Sequence, residues 1–413
     1  MKLTRFLLRY YPPGLILEYS NNDTSTTRTI DLLDLSSSSS TDSFVSIVTE
    51  AEPRLRSKYN KIKLLLDRLK AKQSQFTNSN YILSKVIKGH VLPLTNIAFN
   101  KHGTTFLTGS HDRTCKAFDT ITGSELFSLE GHSSIVYAVS FNVPQCTLIA
   151  TGSFDKTARI WSAQDGGLLH VLKGHSAEIV CIAFSSCSDF LVTGSMDKTG
   201  IIWDVATGVQ RAHLKGHTGE LIAVRVSNHD LILTGSFDST CRLWNSDGDC
   251  LHVLSGHNAE ISTCVFDFTS SLVLSGSIDG TARVWDIESG VCLHTLLAHR
   301  DEVLDVCFNN TGSLIATACA DKNVRLFDAA GRQRWCFSGH TDQVTRVTFT
   351  PQGDKVATAS NDGTVRLLDV VSGEEIQQLF GDGGEVFNVM FNYDGEFLVS
   401  CGEDNCCRLY QCK

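Results

Sequence analysis

The sequence predicts an all-β chain that closes into an eight-bladed β-propeller behind a small α+β segment. Three observations indicate this fold. A Gly-His landmark recurs every 40 to 43 residues, a turn Asp follows each landmark, and the stretch between them alternates apolar and polar residues. A period near 40 residues is typical of four-stranded blades, and alternation with period two is typical of strands.

Each repeat carries four recurring positions. The landmarks are Gly89-His90, Gly131-His132, Gly174-His175, Gly216-His217, Gly256-His257, Ala298-His299, Gly339-His340 and the degraded Gly381-Asp382. The turn aspartates stand 21 to 23 residues after the His position, at Asp112, Asp155, Asp197, Asp238, Asp279, Asp321, Asp362 and Asp404. Four residues before each Asp is a hydroxyl: Thr108, Thr151, Thr193, Thr234, Ser275, Thr317, Thr358 and Ser400. Six residues after it is a large side chain: Phe118, Trp161, Trp203, Trp244, Trp285, Phe327, Leu368 and Tyr410.

These residues resemble the WD-repeat family over residues 81–413. In that family the four positions form a hydrogen-bonded chain inside each blade, and the residue types suit this role because imidazole both donates and accepts while a hydroxyl relays. Repeats two to five have all four members and so predict structural networks at His132, Thr151, Asp155, Trp161, His175, Thr193, Asp197, Trp203, His217, Thr234, Asp238, Trp244, His257, Ser275, Asp279 and Trp285. The other repeats lack the Trp or the His, and we expect packing to hold them.

Ring closure is predicted from the two ends of the repeat region. The last repeat stops three residues after Tyr410, which leaves no room for an outer strand of its own. We therefore expect residues 81–88 to complete the last blade and remove its open edge. The propeller then spans 81–413, and residues 1–80 form a separate α+β domain.

Short apolar runs organise the first 80 residues. Runs at 3–8 and 15–19 around Pro12-Pro13 predict two strands, and the run at 30–35 predicts a third. Residues 36–40 are a polyserine linker. Asp42 or Ser43 is expected to cap a helix that ends near Ala51, before Pro53. The spacing of apolar residues from Ile62 to Leu69 predicts a second helix with a basic outer side.

Composition restricts the class of protein. The net charge of −9 divides into +4 for residues 1–80 and −13 for the remainder, an acidic body that disfavours nucleic-acid binding. No window approaches 18 apolar residues, so no membrane insertion is expected. The 15 cysteines lack zinc-like spacing and predict buried thiols in a cytosolic protein.

The residues show no catalytic constellation. Ser153 lies in a repeated small-residue run rather than in a Gly-x-Ser-x-Gly elbow, and no glycine-rich phosphate loop is present. Seven of the 14 histidines are landmark residues with a structural role. We therefore expect a protein that is not an enzyme and needs no cofactor or metal.

The family resemblance implies that partners bind the narrow face, at the third and fifth positions after the His and just before the turn Asp. In this sequence blades two to four supply an apolar patch at Ile135, Tyr137, Phe154, Val180, Met196, Ile222 and Phe237, and the last repeat adds Phe387 as a further partner-binding candidate. An acidic collar surrounds it at Glu178, Glu220, Glu260, Glu302 and Glu385. An apolar centre with a charged rim predicts a site for a peptide or helix with basic and apolar residues. The alternative is that these side chains plug the channel and bury one another.

Four stretches resemble the outer-row dynein assembly factors with WD repeats: residues 5–19 (RFLLRYYPPGLILEY), 30–35 (IDLLDL), 90–96 (HVLPLTN) and 174–181 (GHSAEIVC). The resemblance implies a monomeric cargo adaptor in the cytoplasm and cilium. Its partners would be preassembled outer-arm axonemal dynein and a subunit of the intraflagellar transport train. It also implies a transport contact in a groove between the two domains, which Lys61, Lys63, Arg68 and Lys70 would border. The alternatives are a substrate receptor of a ubiquitin ligase and a cytoplasmic-dynein regulator.

Overall fold

The computed structural model describes residues 2–21, 24–33, 35, 39–74, 79–297, 299–381 and 384–413. The chain divides into two compact units, residues 1–80 with Lys413 and residues 81–412. Each unit is described by itself.

The larger unit consists of eight antiparallel sheets of four strands each, numbered as blades in chain order. The first strands of blades 1 to 8 are Leu94–Phe99, Val136–Phe141, Ile179–Phe184, Leu221–Val226, Ile261–Phe266, Val303–Phe308, Val344–Phe349 and Val386–Phe391. The second strands are Thr105–Ser110, Leu148–Ser153, Phe190–Ser195, Ile232–Ser236, Leu272–Ser277, Leu314–Cys319, Lys355–Ser360 and Phe397–Gly402. The third strands are Cys115–Asp119, Thr157–Ser162, Gly200–Asp204, Thr240–Trp244, Ala282–Asp286, Val324–Asp328, Thr364–Asp369 and Cys407–Cys412. The fourth strands are Glu125–Leu129, Leu168–Lys173, Gln210–Leu214, Cys250–Ser255, Cys292–Leu296, Gln333–Phe337, Glu375–Phe380 and Tyr81–Ile87.

The first strands of neighbouring blades contact one another around the whole ring, including blade 8 against blade 1. The small residue of each second strand makes this approach possible. A Cβ placed on Gly152 would lie 2.9 Å from the Ile179 side chain of the next blade, and one on Gly276 would lie 3.0 Å from Val306. The repeated Thr-Gly-Ser run is therefore a packing feature, because a larger residue would push the next blade away.

The last blade is closed by the chain's own N-terminal side, as predicted. Tyr81–Ile87 pairs antiparallel with Cys407–Cys412, and Tyr81 stands opposite Cys412. This pairing gives blade 8 its fourth strand and joins the two ends of the ring. The predicted eight-bladed all-β propeller is confirmed.

The cores of the ring lie between adjacent blades. One cluster joins Ala150 and Ile160 of blade 2 to Ile182 and Leu191 of blade 3, and similar clusters recur between other blades.

All 15 cysteines are free thiols, and nine of them are buried.

The N-terminal unit packs a three-stranded antiparallel sheet against helices. Its strands are Lys2–Arg9, Gly14–Asn21 and Thr24–Asp31, followed by helix Thr41–Ala51, the 3-10 helix Pro53–Lys58 and helix Tyr59–Ser74. Its core contains fully buried Leu15, Leu17, Val45, Ile62 and Leu66.

Two details of this unit differ from the sequence prediction. The third strand is Thr24–Asp31, not residues 30–35, because β-branched threonines favour a strand without an apolar run. Helix Thr41–Ala51 begins before Asp42, and the residue at its N-cap is Ser40, which makes no side-chain capping bond. Residues 36–38 of the predicted polyserine linker lie outside the described residues, as do Ala298 and Asp382 of the landmarks.

Candidate functional site on the narrow face of the ring

The four-part network builds the frame of each complete blade. In blade 3, His175 Nδ1 lies 2.8 Å from Asp197 Oδ2, and its Nε2 lies 2.8 Å from Thr193 Oγ1. The Trp203 indole N–H donates to the same hydroxyl at 2.9 Å. A neutral imidazole satisfies every partner: Nδ1–H donates to the carboxylate, and Nε2 accepts the Thr193 proton. The same bonds recur in blades 2, 4 and 5 at 2.7 to 2.9 Å.

In blade 4 the electrostatics of the network keep the histidine neutral and the aspartate ionised. Burial lowers the pKa of His217 despite the neighbouring Asp238 carboxylate. Burial alone would raise the pKa of Asp238, but hydrogen bonds from Thr240, the Thr218 N–H and His217 outweigh it and hold that pKa at about 2. Both shifts favour a neutral imidazole beside an ionised carboxylate, the charge states that complete the chain of hydrogen bonds.

The incomplete blades vary. Blades 1 and 7 keep the His–Asp and His–hydroxyl bonds at 2.8 Å without a Trp. In blade 6, His299 Nδ1 is 3.6 Å from Asp321 and contacts the Arg325 guanidinium instead. In blade 8, where the histidine is absent, Arg408 pairs with Asp404.

The turn aspartates and landmark loops lie at one end of the blades, here called the narrow face. The backbone N–H of the residue before each Asp donates to the carbonyl of the third residue after the His, for example Phe154 to Ile135 at 3.0 Å and Phe237 to Glu220 at 2.9 Å. This bond recurs in all eight blades. Third and pre-Asp positions are therefore held side by side on this face.

The fifth position after the His is a β-bulge in every blade. In blade 2 the register passes from Val136 to Ala138 and skips Tyr137, and in blade 4 it passes from Leu221 to Ala223 and skips Ile222. The remaining six blades show the same shift. A bulge redirects its side chain, and Tyr137, Val180, Ile222 and Phe387 all line a central cavity of about 950 Å³.

The apolar patch is centred on an aromatic pair. The Tyr137 and Phe154 rings stack with centroids 5.4 Å apart and an interplanar angle of 22°. Tyr137 and Phe237 are exposed by 43% and 41%. Phe154 and Met196 are half-buried and pack against the core between blades 3 and 4. The half-buried remainder is Ile135, Ile222 and Phe387.

Val180 is a correction to the predicted exposed patch. It is only 7% exposed and belongs to the core cluster against which Phe154 and Met196 pack. Its bulge directs the side chain between blades and the cavity wall, so Val180 supports the patch from beneath.

The predicted acidic collar is half-exposed at each of its five glutamates: Glu178, Glu220, Glu260, Glu302 and Glu385. Their backbone carbonyls are fixed by the bonds to the pre-Asp N–H groups. Within the described ranges, no ion pair involves these five carboxylates. Their negative charge is thus available to a cationic partner.

Three of the four basic residues proposed for an inter-domain groove are occupied within their own unit. Lys63 pairs with Asp42 at 2.6 Å, Lys70 Nζ donates to the Ser39 carbonyl, and Lys61 lies over the Phe6 ring at 5.0 Å. Arg68 is exposed. The groove stays a prediction.

In the part of the chain that the structure describes, one group of side chains has the spacing of metal ligands: His299, Cys319 and Asp321. The chemistry of this group disfavours a cation. The Arg325 guanidinium already contacts both His299 and Asp321, and burial raises the pKa of the Cys319 thiol to about 12. The group is the blade 6 form of the structural network.

Sequence reasoning missed the polar residues inside the ring. Arg225 and Arg346 stand on first strands of blades 4 and 7 and line the central cavity. A charged residue within an otherwise apolar strand was the signal that could have found them.

Comparison with known families agrees with this geometry. The family model described as WD domain, G-beta repeat matches residues 82–119, 123–162, 166–204, 208–245, 248–286, 290–328, 331–369 and 373–411. The chain belongs to the WD-repeat family. The crystal structure of the computationally designed Ika8 protein matches with a TM-score of 0.71 and 28% identity, over 79% of this chain and 98% of that chain.

Curated relatives with one shared name match part of this chain. The protein named Dynein assembly factor with WD repeat domains 1 is 51% identical to this chain in Macaca fascicularis and in Homo sapiens, and 50% identical in Xenopus laevis. Each match spans 145 residues, which is 35% of this chain and 35% of the length of each relative. No helix of the described residues is long and apolar enough to cross a membrane.

Proposed function

We propose that this chain is a non-enzymatic interaction scaffold whose narrow face binds a protein partner. The stacked pair of Tyr137 and half-buried Phe154 carries this proposal together with Phe237, because the exposed rings of Tyr137 and Phe237 beside a charged rim are typical of binding hot spots. The half-exposed glutamates of the collar favour a peptide or helix with basic residues around an apolar stripe.

The partners we propose are those of an axonemal dynein adaptor. Relatives named as dynein assembly factors are 51% identical to this chain over 145 residues, which is 35% of its length. The N-terminal stretches resemble the same family. The adaptor would link preassembled outer-arm dynein to the intraflagellar transport machinery, and it would occur in the cytoplasm, at the basal body and in the axoneme. Residues 1–80 would carry one of the two contacts.

Affinity capture from ciliated cells tests this function. The wild type is expected to retain dynein arm chains and transport-train subunits, and Phe154→Ala with Phe237→Ala is expected to lose one of the two. The matched control, Ile121→Ala with Val371→Ala, removes side chains that are 71% and 91% exposed in the loops between third and fourth strands, away from the narrow face.

The outcomes separate the alternatives. Recovery of cullin adaptors would favour a substrate receptor of a ubiquitin ligase, and recovery of cytoplasmic dynein alone would favour a regulator of that motor. Equal capture by the narrow-face variant and the wild type would reject the narrow face as the site. Both variants are required to have thermal midpoints within about 1 °C of the wild type, roughly a 1 kcal/mol window for a chain of this size.

A further inference from the structure

The cavity along the ring axis is positively charged in an acidic protein. First strands of all eight blades contribute to its wall. Among the described residues that line it, the permanently charged side chains are Lys101, Arg225 and Arg346, and none is a carboxylate. The chain as a whole has a net charge of −9, so this concentration of cations runs against the overall charge.

The Arg225 guanidinium has one hydrogen bond to the protein and no ion pair among the described residues. Its Nη1 donates to the Val224 carbonyl of its own strand at 3.0 Å, whereas a guanidinium carries five N–H donors. In the described part of the chain no carboxylate lies within ion-pair distance of it. Burial, followed by the charge of Arg346, lowers the pKa of Arg225. The side chain is thus a cation held in the ring without a counter-ion.

The carboxylate of Asp305, which also acts electrostatically on Arg225, is paired with Arg346. Asp305 Oδ1 lies 3.4 Å from Arg346 Nη1, and Asp305 Oδ2 accepts the Val347 N–H at 3.0 Å. Asp305 is 4% exposed, and burial raises the pKa of its carboxyl group. One buried carboxylate is therefore paired with Arg346 alone, and the positive charge of Arg225 is left uncompensated.

We propose that the axial cavity is a binding site for a small oxyanion, a phosphate or carboxylate group of a small molecule, held between Arg225 and Arg346. Guanidinium groups bind both oxyanions through paired N–H donors. The cavity of about 950 Å³ is within the range of small-ligand sites. The cavity shares Tyr137, Val180, Ile222 and Phe387 with the narrow-face patch, but neither guanidinium belongs to that patch.

The two mouths of the cavity differ in charge, which sets the route of entry. The five glutamates of the collar surround the narrow-face mouth and repel anions. Lys101 follows the first strand of blade 1, and therefore lies at the opposite mouth. The anion is expected to enter from the side of Lys101.

Calorimetric titration of the full chain with inorganic phosphate, and separately with citrate, tests this site at constant ionic strength set with chloride. Saturable binding of either anion is expected, with a higher thermal midpoint. Phosphate binding alone would assign the site to phosphate groups, and citrate binding alone to carboxylates. No saturable binding of either anion would overturn the proposal.

Two variants with opposite expected effects make the test specific. Arg225→Met keeps the aliphatic stem and should weaken binding about tenfold or more, because it removes a charge-assisted hydrogen bond. Asp305→Asn keeps an acceptor for the Val347 N–H but removes the competing carboxylate, and should strengthen binding. Arg300→Met, at an exposed position outside the cavity, should bind as the wild type does. Unchanged affinity in Arg225→Met, with a wild-type thermal midpoint, would reject this site.

Discussion

The side-chain amide of Gln377 binds both backbone polar groups of Tyr81. Gln377 Oε1 accepts the Tyr81 N–H at 2.9 Å, and Gln377 Nε2 donates to the Tyr81 carbonyl at 2.6 Å. Gln377 is on the fourth strand of blade 7, and Tyr81 begins the fourth strand of blade 8. The Tyr81 hydroxyl also donates to the Gly395 carbonyl at 2.5 Å. The closing strand is therefore fixed at its first residue by a neighbouring blade.

We predict that Gln377→Ala lowers the free energy of unfolding by about 1–2 kcal/mol, since two hydrogen bonds are lost. Amide hydrogen exchange in residues 81–87 should increase selectively, because the strand can then fray from this end. Gln378→Ala is the matched control, as its side chain points to the other face of the same strand. Equal exchange in both variants would contradict the prediction.

The hydroxyl of the blade network gives a second prediction. The Thr193 hydroxyl accepts a hydrogen bond from the Trp203 N–H and donates one to His175 Nε2. In blade 7 the Thr358 hydroxyl donates to His340 Nε2 but accepts no indole bond, because Leu368 stands in the Trp position. Thr193→Val leaves a donor and an acceptor unpaired, and Thr358→Val leaves only an acceptor. At about 1–3 kcal/mol for each buried unpaired group, Thr193→Val should cost more by that amount in urea titrations. Equal losses would show that the indole bond contributes nothing.

The blade count and the networks could be predicted from the sequence because the same residue types recur at corresponding positions of the repeats. A His, a hydroxyl and an Asp recur at nearly constant spacing in seven repeats, and in six of these blades the His–Asp bond has the same geometry. The closing strand followed from counting the outer strands. These features depend on local spacing and on strand alternation, which the sequence contains directly.

The missing details depend on contacts that spacing does not encode. Val180 is buried because its short side chain packs into the core cluster between blades 3 and 4, whereas Tyr137 at the same bulge position of blade 2 is exposed. Arg225 and Arg346 come together because blades 4 and 7 face one cavity, although they are 121 residues apart. Thr24–Asp31 forms a strand because its β-branched threonines suit the pairing with Gly14–Asn21, and it has no apolar run that would indicate a strand.

The environment of His299 in blade 6 predicts that the free energy of unfolding falls at acid pH. Burial and the Arg325 charge lower the pKa of His299 to about 4, against about 6.5 in an unfolded chain. The unfolded state binds a proton first, so the stability that His299 supplies is complete above pH 6.5 and is lost as the pH falls toward 4. This group should remove about 2 kcal/mol between pH 7 and pH 5. His299→Gln should show a correspondingly smaller loss in urea titrations at the two pH values, and an unchanged slope would contradict the assignment.

In three blades the landmark glycine leaves room for an arginine of the same blade. A Cβ on the landmark glycine of blades 2, 4 and 5 would clash with a guanidinium that lies over the blade's Trp ring; the pairs are Gly131 with Arg159, Gly216 with Arg242 and Gly256 with Arg283. Blade 6 has Ala298 in the sequence at that position, and Arg325 contacts His299 and Asp321 instead.

We predict that Ala298→Gly lets Arg325 turn outward and raises the pKa of His299. The imidazole would then lose a cationic neighbour and could approach Asp321, from which its Nδ1 is now separated by 3.6 Å. Both changes favour the protonated ring. An NMR titration of the His299 ring protons measures the shift, with Ala298→Ser as the control that keeps a Cβ. Equal pKa values in the two variants would mean that another contact holds Arg325 against His299, and the acid sensitivity of blade 6 would then be independent of its landmark residue.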